Sequence, residues 1–201
     1  RGPEAAISND SERIAIFEEL MAIGPDKTEY LRGMGLAVRQ SGTLLAKLGR
    51  DDEARTFYER ADVLLTKLVQ KSETADARLW AVQAQAANIR DGLGEPARAA
   101  ELIRTLTAAA SENEVTRNAQ VRLGAELAQS YFDTGAFSES IDAGRKLINI
   151  ADETDPEYLS AFLVRNRYDA LILIAHGQLR SGRREDAIAA AKEAIAIRER
   201  W

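Results

Sequence analysis

The sequence predicts an all-α protein, a stack of about nine antiparallel helices forming one domain over residues 1–201. Three observations lead there. Alanine occurs 35 times and proline only four, a mix that favours helix because alanine loses no side-chain entropy when wound into one. Runs that alternate apolar and polar residues with a period of two, the mark of a half-buried strand, are absent. A helix–glycine–helix junction recurs four times, at Gly49, Gly94, Gly135 and Gly182, and recurrence at a regular distance marks a repeat architecture.

The elements follow in order. Helices are expected at about 10–23, 26–48, 51–71, 74–91, 96–111, 114–134, 137–152, 156–181 and 183–200. The first is an extra element that packs through Ile14, Phe17, Leu20 and Met21, which share one face. Asp51 and Asp52 open the third helix and Glu185 and Asp186 the ninth, where the helix dipole favours acids. Pro96 and Pro156 fall in first turns, where a missing N–H costs nothing, and Asp155 is a good N-cap for the eighth. The ninth carries an apolar stripe of Ala187, Ala191, Ala194, Ile195 and Trp201. That stripe is expected either to be used by the helix before it or to meet a further helix or a second copy of the chain.

Each junction has the same physical logic. A helix that must stop and reverse commonly ends on a left-handed residue, a conformation in which glycine has no Cβ penalty. Seven residues before the four glycines stand Gly42, Ala87, Ala128 and Ala175, and five after them stand Ala54, Ala99, Ser140 and Ala187. All eight are small, although Gly, Ala and Ser together make up under a third of the chain. Small residues at these two offsets let antiparallel helices approach closely where they cross. Leu45 and Tyr131 flank that crossing on the first helix, and Tyr58, Ile103, Ala61, Leu106, Leu147 and Ala194 on the second.

The pattern resembles the tetratricopeptide repeat (TPR), best in "GTLLAKLGRDDEARTFYERA" and "AHGQLRSGRREDAIAAAKEA". The middle copies depart from it: Arg90 stands where a bulky apolar residue is usual, and Gly144 where an aromatic or aliphatic one is. Successive glycines lie 45, 41 and 47 residues apart against a standard period of about 34. The extra segments, "TKLVQKSETADARL" and "INIADETDPEYLSAFLVRNR", hold apolar residues at helical spacing. They therefore read as longer helices, similar to the extended repeats of kinesin light chains and of large bacterial signalling proteins. The resemblance implies a right-handed α-α superhelix with a binding role.

Catalysis finds little support in the residues. His176 is the only histidine, no Gly-x-Ser-x-Gly elbow accompanies it, and no metal-ligand spacing surrounds it. "RGMGLAVRQSG" and "DGLGEP" contain Gly-x-Gly, but without the strand before or the Gly-Lys-Ser/Thr after that a phosphate cradle needs. The expectation is a non-enzyme without cofactor or metal. A net charge of −5 provides no field for nucleic acid. The longest apolar run, "ALILIA" at 170–175, is far too short for membrane insertion. The chain opens on Arg1, so it reads as an excised or processed piece, assigned here to the cytoplasm.

In the family the first helix of each pair lines a concave groove. The resemblance places Arg39, Gln40, Thr43 and Lys47 there from the first copy and Gln85 and Asn88 from the second. The third contributes Glu126, Gln129, Phe132 and Asp133, and the fourth His176, Leu179 and Arg180. Long polar side chains around an aromatic suit an extended peptide or protein segment. The family's carboxylate clamp is incomplete, because Thr43 follows Arg39 and Ala84 precedes Asn88. A second reading is a structural, oligomerisation or regulatory module of a larger bacterial signalling protein, self-associating through the terminal helices.

Overall fold

The computed structural model describes residues 3–109, 117–153 and 161–200. The described residues form nine α-helices and no strand: α1 (Pro3–Ile23), α2 (Thr28–Lys47), α3 (Asp51–Lys71), α4 (Ala75–Ala87), α5 (Pro96–Ala109), α6 (Arg117–Asp133), α7 (Phe137–Asp152), α8 (Ala161–Arg180) and α9 (Arg184–Arg200). A five-residue π turn, Asn88–Gly92, continues α4. The chain divides into two compact units, Arg1–Leu102 and Ile103–Trp201, with the division inside α5. Asp155, Pro156 and Trp201 lie outside the described residues.

Gly49, Gly94, Gly135 and Gly182 have φ of 73°, 70°, 79° and 76°, and no other described residue has positive φ. At three of them the chain closes the same way. Arg50 N donates to Leu45 O (3.0 Å) and Gly49 N to Ala46 O (3.0 Å). Ala136 and Gly135, and Arg183 and Gly182, repeat this pair of bonds. The motif satisfies carbonyls that the helix end would otherwise leave unpaired. At Gly94 the closing bond reaches one residue further back, from Glu95 N to Ile89 O (3.0 Å), and Leu93 N donates to Asn88 O (3.1 Å). The π turn has inserted one residue.

That insertion accounts for the second copy's departure from the pattern. Counted by hydrogen bonds, the residue equivalent to Leu45 is Ile89, which is 1% exposed, and not Arg90. The small residue equivalent to Gly42 becomes Ala86, also buried. At Gly49 and Gly135 the small positions before and after the glycine face one another. A Cβ on Gly42 would lie 3.2 Å from Ala54 O, and buried Ser140 Oγ donates to Ala128 O at 2.8 Å.

In the first unit α2 and α3 supply most of the core: Leu31, Met34, Ala37 and Val38 against Ala61, Leu64, Leu65 and Leu68. Ala81 and Ala84 of α4 and Ile14 of α1 complete it. Burying a leucine such as Leu65 fully contributes about 2 kcal/mol. Phe17 and Met21 of α1 pack on this core as expected. Gly33 makes room for Phe17, since a Cβ there would collide with the ring at 2.1 Å. Thr74 caps α4 by accepting from Ala77 N (3.2 Å), and Pro96 opens α5.

In the second unit Val121, Leu147, Leu163 and Ala170 form a core joined by Ala125, Ile148, Ile150 and Phe162. Arg167 of α8 bonds Asp152 of α7 (2.7 Å) and Glu193 of α9 (2.9 Å), tying three helices together. On α9, Ala187 and Ala194 are buried while Ile195 is 56% exposed, so the preceding helix uses only part of the apolar stripe.

Candidate interaction surface

Helical geometry puts Arg32, Leu36, Arg39, Gln40, Thr43 and Lys47 within an arc of about 100° on α2, opposite the buried Leu31, Met34, Val38 and Leu45. The sequence-predicted set Arg39, Gln40, Thr43 and Lys47 therefore does share an outward face. Gln40 and Lys47 are exposed, while Arg39 and Thr43 are half-buried. Thr43 Oγ1 donates to Arg39 O (3.1 Å) and accepts from Tyr58 OH (3.3 Å), which anchors the middle of the stripe to α3.

Gln85 and Asn88 depart from expectation. Both are buried, at 5% and 0% exposure. Gln85 Nε2 donates to Asp62 Oδ1 (3.0 Å) and Thr66 Oγ1 (2.7 Å), and Asn88 Nδ2 donates to Tyr58 O (3.0 Å). The inserted π residue turns the last turn of α4 relative to the register counted back from Gly94, so these amides point at α3. In their place stand two residues that the sequence reading left out. Arg90 chelates Asp91 through Nε (2.7 Å) and Nη2 (3.1 Å), and Arg39 Nη2 lies 3.6 Å from the same carboxylate. A one-residue offset that restores Ile89 to the apolar position was the signal available.

Further along the same face the Arg32 guanidinium lies 4.0 Å from the Trp80 ring centroid, a cation–π geometry that holds both side chains in place. The pair borders a cleft of about 640 Å³ whose lining mixes the bases Lys27 and Lys71 with the acids Asp26, Glu29 and Glu73. Arg32, Arg39 and Lys47 thus share this face with the Arg90–Asp91 pair, of which Arg90 is largely covered, and the cleft adds its three carboxylates at the Arg32 end.

In the second unit Phe132 and His176 come together, with ring centroids 6.1 Å apart. Phe137 meets Phe132 edge-on at 5.5 Å. His176, Leu179 and Arg180 are exposed on α8, Leu179 at 57%. Gln129 Nε2 donates to the exposed Asp133 (2.8 Å), and half-buried Glu126 accepts Ser130 Oγ on its backbone carbonyl (2.7 Å). Among the described residues no group of three His, Asp or Glu could hold a metal ion, and no helix is long and apolar enough to cross a membrane.

No family model and no curated protein matches this chain. Solved structures do. A kinesin light chain from Podosopora anserina, described as having nearly identical TPR-like repeats, is similar over 98% of this chain and 92% of its own, at 16% identity and a TM-score of 0.66. The fold is a TPR-like helical repeat. A MamA RS-1 double mutant aligns with 96% of the chain and 86% of its own (17% identity, TM-score 0.64). A further MamA protein aligns with 98% and 86% (18% identity, TM-score 0.59). These likenesses confirm the all-α repeat fold that the glycine junctions predict.

Proposed function

We propose that this chain is a non-catalytic interaction scaffold whose first unit binds an extended, acidic protein segment. The observation that carries this reading is the outward face of α2 and α4, where Arg32 stacks on Trp80 while Arg39 and Arg90 share Asp91. A carboxylate from a partner can compete with Asp91 for Arg39, whose contact at 3.6 Å is long. Trp80, beside Arg32 two turns along α2, offers an apolar platform, and aromatic and arginine anchors dominate binding energy in such surfaces. In the second unit, Phe132, His176 and the exposed Leu179 suit an apolar side chain.

The test is selection of peptides on the intact chain from a randomised display library, followed by affinity measurement. Enriched peptides are expected to be acidic, to bind less tightly as salt rises, and to lose about tenfold or more in affinity on Arg39→Glu. No enrichment, or binding unmoved by Arg39→Glu and Arg32→Glu together, overturns the reading. A second reading, a structural module that self-associates through its terminal helices, is supported by large apolar side chains left exposed on α1 and α9.

A further inference from the structure

The residue inserted at the second junction brings an acid to a face that is otherwise basic along α2. Between Leu45 and Leu48 stand only Ala46 and Lys47, whereas between Ile89 and Leu93 stand Arg90, Asp91 and Gly92. Asp91 is held in place from several sides. Arg90, with a side chain only 13% exposed, chelates its carboxylate through Nε (2.7 Å) and Nη2 (3.1 Å). Both ends of the π turn are fixed to α3. Asn88 Nδ2 donates to Tyr58 O (3.0 Å), and Gly92 lies so near the Tyr58 ring that a Cβ there would stand 2.4 Å from Cδ1. The Tyr58 hydroxyl reaches the opposite side of the same gap, donating to Thr43 Oγ1, which itself donates to Arg39 O. One residue of α3 therefore braces both Arg39 and Asp91.

The gap between them is 3.6 Å, beyond hydrogen-bonding reach. Among the described residues no acceptor takes a hydrogen bond from the Arg39 guanidinium. Asp91 thus offsets the charge of Arg39 and leaves its donors unsatisfied. We propose that Asp91 is a fixed internal competitor that sets the affinity of this face for acidic segments. A partner carboxylate gains charge-assisted hydrogen bonds from Arg39, but it must settle near a like charge that Arg90 and the clamped turn prevent from swinging away. A built-in repulsion of this kind selects against weak partners: a segment with a lone acid gains little, and one with several acids is retained. Asp91 is on this account a specificity-determining residue, supplied by the π turn. The inference rests on the acidic-segment reading above and names what limits it.

The probe is a fluorescent hexaglutamate peptide, acetylated and amidated at its ends, titrated with the intact chain and read by anisotropy. Asp91→Asn keeps an oxygen for Arg90 and is expected to bind about three- to tenfold more tightly than wild type at low salt. Asp91→Ser, a second neutral replacement, should gain by a similar factor, and both should keep the helical circular dichroism of the wild type. In an Arg39→Gln chain the same substitutions should lose most of that gain, because no guanidinium is left to unmask. An equal gain in both backgrounds would trace the effect to net charge alone and overturn the proposal. Affinity unmoved by either Asp91 variant, in a chain whose binding is lost on Arg39→Glu, also overturns it and leaves the acidic-segment reading standing. Binding by Asp91→Asn where wild type shows none supports both, and binding by neither overturns both.

Discussion

The two units solve one packing problem with opposite partners. In the first, bulk sits on the second helix of the pair: Tyr58 of α3 lies between Gly42 of α2 and Gly92 of the π turn. A Cβ on Gly42 would stand 3.0 Å from Tyr58 Cε1, and one on Gly92 only 2.4 Å from Cδ1. In the second, the residue at the corresponding offset, nine after the turn glycine, is Gly144 of α7, and the bulk comes from Ile174 of α8 at 3.0 Å. Close approach of helices is preserved while the large and small residues change sides. The difference teaches that the repeat specifies the gap between backbones, and that either helix can fill it.

Substitution separates the two arrangements. Gly92→Ala should destabilise the first unit by about 2–3 kcal/mol, because the new methyl meets a ring already confined by Gly42 and by the Tyr58 hydroxyl's bond to Thr43. Gly144→Ala meets Ile174 Cγ1 and Cδ1 at 3.0 and 3.2 Å, a milder contact than the one at Gly92, and gains about 1 kcal/mol of helix propensity that offsets it. Its net effect should be near zero. Denaturation of both variants, with amide exchange assigned to α2–α3 and α7–α8, checks the pair. Equal losses at the two sites would mean that the ring is free to move.

A second comparison sets the four turn glycines against each other. A Cβ at any of them would have nothing within 4 Å, so alanine there meets only the backbone penalty of the left-handed conformation, about 1–2 kcal/mol. Gly94→Ala is expected to cost the same as Gly49→Ala, Gly135→Ala and Gly182→Ala despite the π turn that precedes it. A clearly smaller loss at Gly94 in thermal denaturation would show that the wider turn tolerates a side chain.

This equivalence explains what could be read from the residues. The positive φ at four sites is a local demand that glycine alone meets cheaply, so the turns and the helices between them were legible, α3 and α7 to both ends. The π turn was not, because one inserted residue leaves composition and periodicity almost unchanged and is set by contacts from α3. Its effect on the surface was large. Gln85 and Asn88 went inward to Asp62, Thr66 and Tyr58, and Asp91 took the outward place with the largely covered Arg90 paired to it. That Arg39, Gln40, Thr43 and Lys47 share one face of α2 was legible because the helix winds regularly to its glycine. The Phe132–His176 contact was legible only as two separate residues, since it needs α6 and α8 side by side.

The smallest expected effect lies just past the first two glycines, where the charges are reversed. After Gly49 comes Arg50, bonded to Glu53 (2.7 and 2.6 Å); after Gly94 comes Glu95, bonded to Arg98 (2.9 Å), which also holds Asp62. The Arg50 hydrogen bonds hold the Glu53 carboxyl below the usual carboxylate range, and its first-turn position agrees with the helix dipole. Arg98 is pushed the other way, above an already high value, by Glu95 and then Asp62, so it stays charged throughout. Because the Glu53 pKa is lowered on folding, its contribution is complete above the unfolded carboxylate value and disappears as pH falls through the lower, folded one. Full exposure keeps that contribution slight. Carboxyl-carbon NMR titration should place Glu53 below the ordinary carboxylate range, and Arg50→Ala should return it toward that range. A Glu53 titration unmoved by Arg50→Ala would assign the shift to the helix terminus and not to the arginine.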